Sequence, residues 1–428
     1  MTQQNNLALK KLKGIKPKGV KTKPSYESNL EYLISSGLEC VELFGNMLNE
    51  RGLAFDNVYQ TSDKVYEYVD SMNLFSESDL KNLIYNLSVS DLLESYKPKT
   101  IFGMYSGALL SKLTKSNQEK GLPTKIHIDG NNQKFDNLFM YAKHVDELVV
   151  ENFEGGNICR EIGSKGTINS LIVRNIKGNC TCLQAAKKGF ANFIYVENIE
   201  GSNCCQNSAG EGHINLILGT NIEGGNALDK ISQKPDSHVE IIIGVNISGS
   251  SALSSVASYK GSAGLVLAKN IDGEFVLESS GYSGGSIDLI YADNIAGNQI
   301  LQKCGYTGNV KELLVSNIVE DPVKERITNL ESMNVSTLIQ DSSRNHEHFV
   351  KKYSLDKIAE IAELMYGKSP DELIKGANLI KKIYEQTKIE MKKPSSRRVY
   401  ETIKTKKRDY DKIKSMFNQL VDLLKPRK

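Results

Sequence analysis

The sequence predicts a multidomain α+β protein whose middle is a parallel β-solenoid and whose two ends are helical. Three observations lead to this prediction: a motif that recurs about every 23 residues, apolar positions at helical spacing on either side of it, and a charge that changes sign between middle and ends. The chain has 428 residues, enough for two or three domains. Its 39% hydrophobic and 25% charged residues exclude a mainly disordered or membrane-embedded protein.

The two ends of the chain are basic and the middle is acidic. Residues 1–24 contain seven Lys and no acidic residue, and residues 388–428 contain fourteen Lys or Arg against five Asp or Glu. Because these ends carry +7 and +9 while the whole chain carries +3, the remaining residues carry −13. We interpret residues 1–24 as a basic disordered tail. Such segregation is typical either of solvated ends that keep a protein soluble or of ends that bind a polyanion.

Residues 25–120 are predicted to form a helical domain, because apolar residues recur there at helical spacing. Helices are expected around residues 63–72 and 78–95. Either Ser76 or Ser78 is suited to be the N-cap of the second of these helices.

A helix is also expected directly before the solenoid. Pro98 should interrupt the preceding helix, and the apolar stretch that follows is helical in pattern. An open solenoid end exposes core residues and strand edges. We therefore predict that residues 98–120 cover the first coil, whose first strand should begin at residues 125–128.

The middle of the chain, residues 124–345, is built from a repeat. The tetrad Asn-(Ile or Phe)-x-Gly recurs at spacings of 23 to 25 residues, and an alternating apolar stretch precedes it. Gly stands nine residues before most of these Asn, with Ser237 in its place in the one coil of 25 residues. Two or three short strands per repeat and about nine coils are expected. The recurring residues are Asn152, Asn175, Asn198, Asn221, Asn246, Asn270, Asn294 and Asn317.

No single repeat can bury its apolar face alone, so neighbouring coils must pair about 4.8 Å apart and enclose a common core. An Asn at the same place in each coil tolerates a left-handed turn, and its amide is expected to bond the Asn above and below in a buried ladder. Leucine-rich repeats have a similar period, but their Leu-x-x-Leu-x-Leu spacing is missing. The repeat therefore predicts a β-solenoid.

The passage Val173-Arg174-Asn175-Ile176, with its equivalents in other coils, resembles the strand–Asn turn–strand passage of right-handed parallel β-helix proteins, the pectate-lyase-like superfold. This resemblance covers about half of the chain and implies a right-handed parallel β-helix. The superfold includes polysaccharide lyases and hydrolases, which use clustered acids with calcium or Arg on an exposed sheet. No such cluster is recognisable here, so the resemblance carries over no catalytic residue and no specific family.

Residues 350–428 are predicted to form a basic helical domain. Ser369, Pro370 and Glu372 provide an N-cap, a Pro at the first helical position and a Glu at the third, which together mark a helix start. Pro394 should break that helix. Residues 397–424 are amphipathic and basic.

Three Cys residues fall in one column of the repeat. Cys159, Cys182 and Cys205 stand seven residues after an Asn, where the later coils have Leu. Such a column points inward, so we predict small core residues, although the density of thiols invites a metal or iron–sulfur interpretation. No metal and no cofactor are expected, because buried thiolates need a cation to offset their desolvation. Seven Cys without an apolar leader segment predict reduced thiols and a cytoplasmic location.

Two adjacent coils place acids beside His residues: Glu211, His213, Asp236 and His238. Two His and two carboxylates on neighbouring rungs suit divalent-metal binding or acid–base catalysis. The alternative is a solvated face with local ion pairs. The His346-Glu347-His348 sequence after the last coil has the same two interpretations: a metal chelate or a polar boundary.

A column of aromatic residues is predicted on the last coils, formed by Tyr259, Tyr282 and Tyr306. Exposed stacked Tyr rings offer a platform for sugars, bases or a protein partner, or they shield the strand edges. The absence of Trp from the chain weakens the sugar interpretation.

The leading functional hypothesis is a non-enzymatic cytoplasmic scaffold or binding protein. Its rigid solenoid would hold a protein partner on one face, and its basic ends would bind nucleic acid or ribonucleoprotein. One alternative is a carbohydrate-active lyase or hydrolase with its site near Glu211 on the solenoid face. Another, by layout alone, is an Fe–S-type assembly scaffold. No apolar run is long enough for a transmembrane segment. The predicted polyanion contacts are Lys10, Lys11, Lys13, Arg397, Arg398, Lys406, Lys407 and Arg408.

Overall fold

A computed structural model describes residues 29–48, 55–320, 335–340 and 346–391. It has the α+β architecture that the repeat predicts: a central parallel β-solenoid flanked by helices on both sides. The N-terminal helices are α1 (Asn29–Phe44), α2 (Phe55–Ser71), α3 (Glu77–Ser88) and α4 (Tyr96–Glu119), with short 3-10 helices at Gly45–Met47 and Asp91–Leu93. The C-terminal helices are α5 (His346–Lys352), α6 (Leu355–Leu364) and α7 (Pro370–Met391).

Local sequence signals set the starts of three helices. Ser76 is the N-cap of α3, where its hydroxyl accepts from the Asp79 amide at 3.2 Å and its own amide donates to the Asp79 carboxylate at 2.8 Å. Ser369 and Glu372 form the same reciprocal pair at the start of α7. Pro98 does not interrupt a helix, contrary to the prediction: it lies in the first turn of α4, where the amide hydrogens have no helical partner to lose.

Helix α4 covers the first coil of the solenoid, as predicted for residues 98–120. The contact is so close that a Cβ on Gly103 would lie 2.5 Å from the Asn137 carbonyl oxygen, and one on Gly107 would lie 2.4 Å from that of Met140. The Ser106 hydroxyl accepts from the amide of Phe139 at 3.0 Å. Only glycine permits this approach of helix backbone to coil backbone.

The solenoid is one sheet in which every described strand pairs in parallel with its neighbours. Register advances by one repeat per rung; for example, Leu148 pairs with Leu171, and Leu171 with Ile194. Eight turns lead from β1 to β10, and part of a ninth, before β11, lies outside the described residues. The strands are β1 (Lys125–Lys134), β2 (His144–Glu154), β3 (Thr167–Lys177), β4 (Phe190–Ala191), β5 (Ile194–Glu200), β6 (His213–Glu223), β7 (His238–Ser248), β8 (Ser262–Asp272), β9 (Ser286–Gly297), β10 (Asn309–Glu320) and β11 (Val335–Gln340).

Each described coil returns to the sheet through consecutive turns rather than through further strands. After β2, the φ angles of Asn157, Cys159, Glu161 and Gly163 lie between +52° and +68°, while those of the residues between them are not positive. A hydrogen bond of 3.1 Å from the Arg160 amide to the Asn157 carbonyl closes one such turn. The i to i+3 bond with positive φ at the third residue is the sign pattern of a type II β-turn.

The expectation of two or three short strands per coil is therefore wrong. Most coils have one strand of eleven or twelve residues, bent once, followed by these turns. Amides on the turn side still bond to other coils, and in alternating directions: the Cys159 amide donates to Leu138 in the preceding coil at 2.8 Å, and the Glu161 amide to Leu183 in the following coil at 2.7 Å. Backbone amides of the turn side thus find partners in other coils without forming a strand.

A row of Asn side chains marks the bend of each strand. From Asn175 to Asn294, each side-chain amide donates to the Asn carbonyl of the preceding coil at 2.8–3.3 Å. The first donor, Asn152, donates to Asp129 at 2.8 Å, and the last, Asn317, donates to Asp293 at 2.9 Å. All have φ between +51° and +59°.

These amides are exposed or half-buried, so the expectation of buried amides is wrong. The reason lies in the neighbouring residues. Val173, two residues before Asn175, and Ile176, directly after it, occupy the inward positions. The left-handed residue between them turns its side chain outward at the bend, where it remains in contact with water.

The interior of the solenoid is filled by columns of apolar residues. Cys159, Cys182 and Cys205 are fully buried, as predicted, and the Leu residues that replace them in later coils are also buried. The Gly column permits close coil stacking, since a Cβ on Gly189 would lie 2.0 Å from the Gly163 carbonyl oxygen. Ser237 takes this position in the longest coil, and it too is buried.

A second apolar core, which sequence analysis did not predict, lies outside the solenoid. Helices α6 and α7 pack across the outer face of the sheet, where they bury residues such as Leu218, Ile243 and Leu267 together with Ile358 and Ile380. Strand positions that face away from the inner core are apolar for this reason. The C-terminal helices therefore fold back along the solenoid instead of extending it.

We expect Asn198→Leu to lower the free energy of unfolding by about 2 kcal/mol, because it removes two side-chain hydrogen bonds and forces Leu into the left-handed region. Asn198→Gly should cost less, about 1 kcal/mol, since Gly accepts that backbone conformation. Urea unfolding of both variants measures the difference. Parent-like stability of both would show that the Asn row does not stabilise the coils.

Candidate binding surfaces on the solenoid

Three outer surfaces of the solenoid differ in chemistry: the sheet face under α6 and α7, the bend with the Asn row, and the turn side. The bend carries a groove of about 610 Å³, here called the asparagine groove. It spans the rungs from β3 to β8. Its lining comprises the members of the Asn row on these rungs, Ile residues that follow them and the exposed residues one position further on, together with Asn132 of β1: Asn132, Asn175, Asn198, Asn221, Asn246, Asn270, Lys177, Glu200, Glu223, Ser248 and Asp272.

The asparagine groove offers hydrogen bonds and a negative charge. The Asn row uses one N–H and one carbonyl lone pair of an amide such as Asn198, which leaves a second of each for water or a ligand. Of the charged lining residues, Lys177 lies 3.4 Å from Glu200, while Glu223 and Asp272 add carboxylates. Sequence analysis treated these Asn residues as purely structural, because only the bend reveals that they line a groove.

The predicted catalytic residue Glu211 is engaged by lysines rather than by His. Its carboxylate oxygens lie 2.8 Å from the Lys234 ammonium and 2.9 Å from that of Lys188. The hydrogen bonds from Lys234 and Lys188 lower the pKa of Glu211 to about 2. A carboxylate held in this way stays ionised at neutral pH and is poorly suited to donate a proton.

The two predicted His residues lie on adjacent rungs, where His213 pairs in register with His238. The ring of His238 is held between two other partners: Nε2 lies 2.9 Å from a Glu240 carboxylate oxygen and Nδ1 lies 2.9 Å from the Ser262 hydroxyl. Asp236 is exposed at a left-handed turn. The structure thus aligns the two His in register and pairs Glu211 with two lysines. A catalytic role for the four residues stays a hypothesis.

A buried charged column beneath the C-terminal helices escaped sequence analysis. Arg174 bonds the Glu151 carboxylate through Nε and donates through Nη1 to the Lys368 carbonyl at 2.9 Å. Glu197, on the next rung, accepts from the Gly367 amide at 3.2 Å. These contacts fasten the α6–α7 loop to the sheet. Glu151, Arg174 and Glu197 are 23 residues apart, and this spacing could have revealed the column in the sequence. Which face of the sheet their side chains occupy is visible only in the folded strands.

The three predicted tyrosines form a continuous aromatic column on the turn side. The ring centroids of Tyr282 and Tyr306 are 5.8 Å apart with the planes 13° from parallel, and Tyr259 meets Tyr282 edge to face at 6.1 Å. The exposed fractions of Tyr259 and Tyr306 are 56% and 41%. The column is therefore open to solvent at both of its ends.

The Cys column is buried, and two of its thiols are held in the protonated form. A hydrogen bond with Cys159 and burial raise the pKa of Cys182 well above its usual value. A hydrogen bond with Cys182 and burial likewise raise the pKa of Cys205. Protonated thiols are weak metal ligands. Across residues 29–48, 55–320, 335–340 and 346–391, no group of three or more His, Cys, Asp or Glu is arranged to hold a metal ion.

Several predicted features lie at or beyond the ends of the described chain. His346, Glu347 and His348 form the first turn of α5, where Glu347 pairs with Lys351.

Every helix in the described ranges is too short or too polar to span a bilayer. The basic tail, the amphipathic residues 397–424 and the proposed polyanion contacts lie outside the described residues: Lys10, Lys11, Lys13, Arg397, Arg398, Lys406, Lys407 and Arg408.

The contact between α7 and the sheet should weaken in acid. The hydrogen bond with His238 and the nearby Lys388 ammonium lower the pKa of Glu240 from 4.5 to about 2, against the effect of burial. Because the folded state holds the carboxylate more strongly than the unfolded state, its stabilisation is complete above about pH 4.5 and is lost as the pH falls toward 2. Unfolding free energies measured from pH 6 to 3 should fall, and should fall less steeply in Glu240→Gln.

Glu223→Gln, an exposed carboxylate outside that contact, is the matched control and should keep the pH dependence of the parent. Equal slopes for Glu240→Gln and the parent would contradict the assignment.

Cys182→Ala should lower the free energy of unfolding by only about 1 kcal/mol, because it leaves a cavity the size of one sulfur atom. Metal analysis of the purified parent should find no stoichiometric zinc or iron. One metal ion per chain that disappears in Cys182→Ala would overturn the assignment of this column to the core.

Comparison with known proteins adds no functional assignment to these surfaces. Protein-family models, curated proteins and solved structures give no match for this chain. The resemblance to β-helix proteins accordingly concerns the parallel coil of about 23 residues, and no specific family.

Proposed function

We propose that this protein is a non-enzymatic scaffold that binds an anionic partner, nucleic acid or ribonucleoprotein, through its two basic segments. The observation that carries the proposal is the combination of a rigid acidic body with two strongly basic segments, residues 1–24 at +7 and residues 388–428 at +9. Lysine and arginine clusters supply the salt-dependent, sequence-independent share of nucleic-acid affinity.

The proposal draws on the positions of Asn29 and Lys388, the described residues nearest to or within these segments. At the N-terminal side, the Asn29 side chain donates to Asp79 at 3.0 Å, and the Glu77 carboxylate accepts from the amide of Lys125, the first residue of β1. Asn29, the first described residue, therefore lies beside the helix that contacts the first rung.

The C-terminal basic segment begins near the middle of the solenoid, because α7 folds back along the sheet. Lys388, close to the end of α7, lies 2.7 Å from Glu240 in β7. Five rungs separate β1 from β7, which is roughly 24 Å, or about seven base-pair steps of a duplex. We propose that one extended polyanion contacts both basic segments.

The carbohydrate-active alternative retains one supporting observation. The asparagine groove presents amides and carboxylates, the groups that hydrogen-bond sugar hydroxyls. The catalytic candidates proposed from the sequence are not among its lining residues: Glu211, His213, Asp236 and His238. A cytoplasmic location and an Fe–S-type assembly role rest on the sequence and the layout alone.

Deletion of residues 1–24 and 397–428 tests the scaffold proposal. Binding of a labelled oligonucleotide, followed by fluorescence anisotropy at two salt concentrations, should weaken at least tenfold on deletion, because the remaining body is acidic. The parent should also show a steep loss of affinity with salt, and the truncated protein should not.

Thermal melting of the truncated protein checks that the body remains folded. If parent and truncated protein bind the oligonucleotide equally and without salt dependence, the scaffold proposal is wrong. Polysaccharide cleavage that survives the deletion would favour the enzyme instead.

A further inference from the structure

The tyrosine column, Tyr259, Tyr282 and Tyr306, departs from the repeat that surrounds it. Earlier coils carry Ser164, Lys187 and Gly210 near this position, so stacking of the coils does not require an aromatic ring there. Tyr282 stacks against Tyr306, which fixes the orientation of both rings. Tyr259 and Tyr306, the outer members, keep 56% and 41% of their surface exposed. Rigid aromatic surface of this size, held at the protein exterior, is suited to binding a ring.

Two lysines frame the column. Lys260 follows Tyr259 directly and is exposed, with its aliphatic stem against Gly284. Lys303, also exposed, is three residues before Tyr306. Within the described part of the chain neither ammonium forms an ion pair, although the charge of Lys303 acts on Glu278 in the preceding coil. The column therefore combines aromatic faces with cations that are available to an anion.

The same edge of the solenoid leads to the C-terminal basic segment. Lys388 in α7 pairs with Glu240, Glu240 with the ring of His238, and that ring with the Ser262 hydroxyl. Ser262 begins β8, three residues after Tyr259. Lys388, near the end of α7, is thus linked through Glu240 and His238 to the start of β8, three residues after Tyr259.

We propose that the tyrosine column is a base-stacking site for single-stranded nucleic acid, with phosphates held by Lys260 and Lys303. This inference rests on the proposed function and specifies the form of the polyanion. Aromatic rings stack on any base whose face is free, and cations beside them neutralise the backbone. Bases in a duplex are stacked on each other, so the column discriminates against double strands. The basic segments bind both forms, whereas the column adds affinity for one.

The test compares a labelled 20-nucleotide single strand of thymidines with a duplex of the same length, in anisotropy titrations of the full chain. Tyr306→Ala and Tyr259→Ala should each weaken single-strand binding about tenfold and leave duplex binding unchanged. Tyr306→Phe should bind like the parent, because Phe keeps the stacking face. Tyr85→Ala, which removes a similarly exposed ring in α3, is the matched control and should have no effect.

The lysines have a separate readout. Lys260→Gln combined with Lys303→Gln should reduce the slope of log affinity against log salt for the single strand by about one to two, since about 0.7 counterion is released per phosphate neutralised. Thermal melting of every variant confirms that the coils remain stacked.

The outcomes distinguish this inference from the proposal on which it rests. If the Tyr→Ala variants bind the single strand like the parent while the deletion of the basic segments abolishes binding, the base-stacking site is wrong and the scaffold proposal stands. If Tyr→Ala weakens single strand and duplex equally, the column binds something other than bases, and the inference is again overturned. If neither the parent nor any variant binds nucleic acid, both proposals fail.

Discussion

Backbone hydrogen bonding between successive coils is the constraint on which the rest of this structure depends. The sheet residues bond in parallel register, and the turn-side amides bond alternately to the preceding and following coils, as Cys159 and Glu161 show. A coil without neighbours would leave these groups unpaired, so the repeat folds only as a stack. The same constraint places residues of equal repeat position above one another, and it sets the backbone at Asn175 and its equivalents in the left-handed region.

The chemistry of the surface follows from these columns. A polar column at the bend becomes a row of amides and a groove, whereas an apolar column on the outer sheet face becomes a second core under α6 and α7. Places where the repeat is broken are the most informative about function. The aromatic rings at Tyr282 and Tyr306 replace small or charged residues of earlier coils, and the inner core requires neither of them.

Charge organises the molecule at a larger scale. The acidic body is held to its C-terminal helices by specific ion pairs, Lys269 with Glu363 and Lys388 with Glu240, as well as by the apolar contacts. These pairs determine where α7 ends on the solenoid, and thereby where the C-terminal basic segment begins. Loss of one partner from a partly buried ion pair leaves the other charge uncompensated, which is costly. The position of the end of α7 on the solenoid is therefore well defined.

The sequence by itself determined the repeat, the parallel solenoid, the inward Cys column and the helix starts at Ser76 and Ser369, because each depends on local spacing or capping chemistry. Tertiary structure alone decided the direction of the Asn side chains, the consecutive turns that replaced the expected strands, and the packing of α6 and α7 on the outer face. Those features depend on which side of a strand faces water. An apolar column such as that of Leu218 looks the same in sequence whether a core or a distant helix covers it, since periodicity reports burial but not the partner.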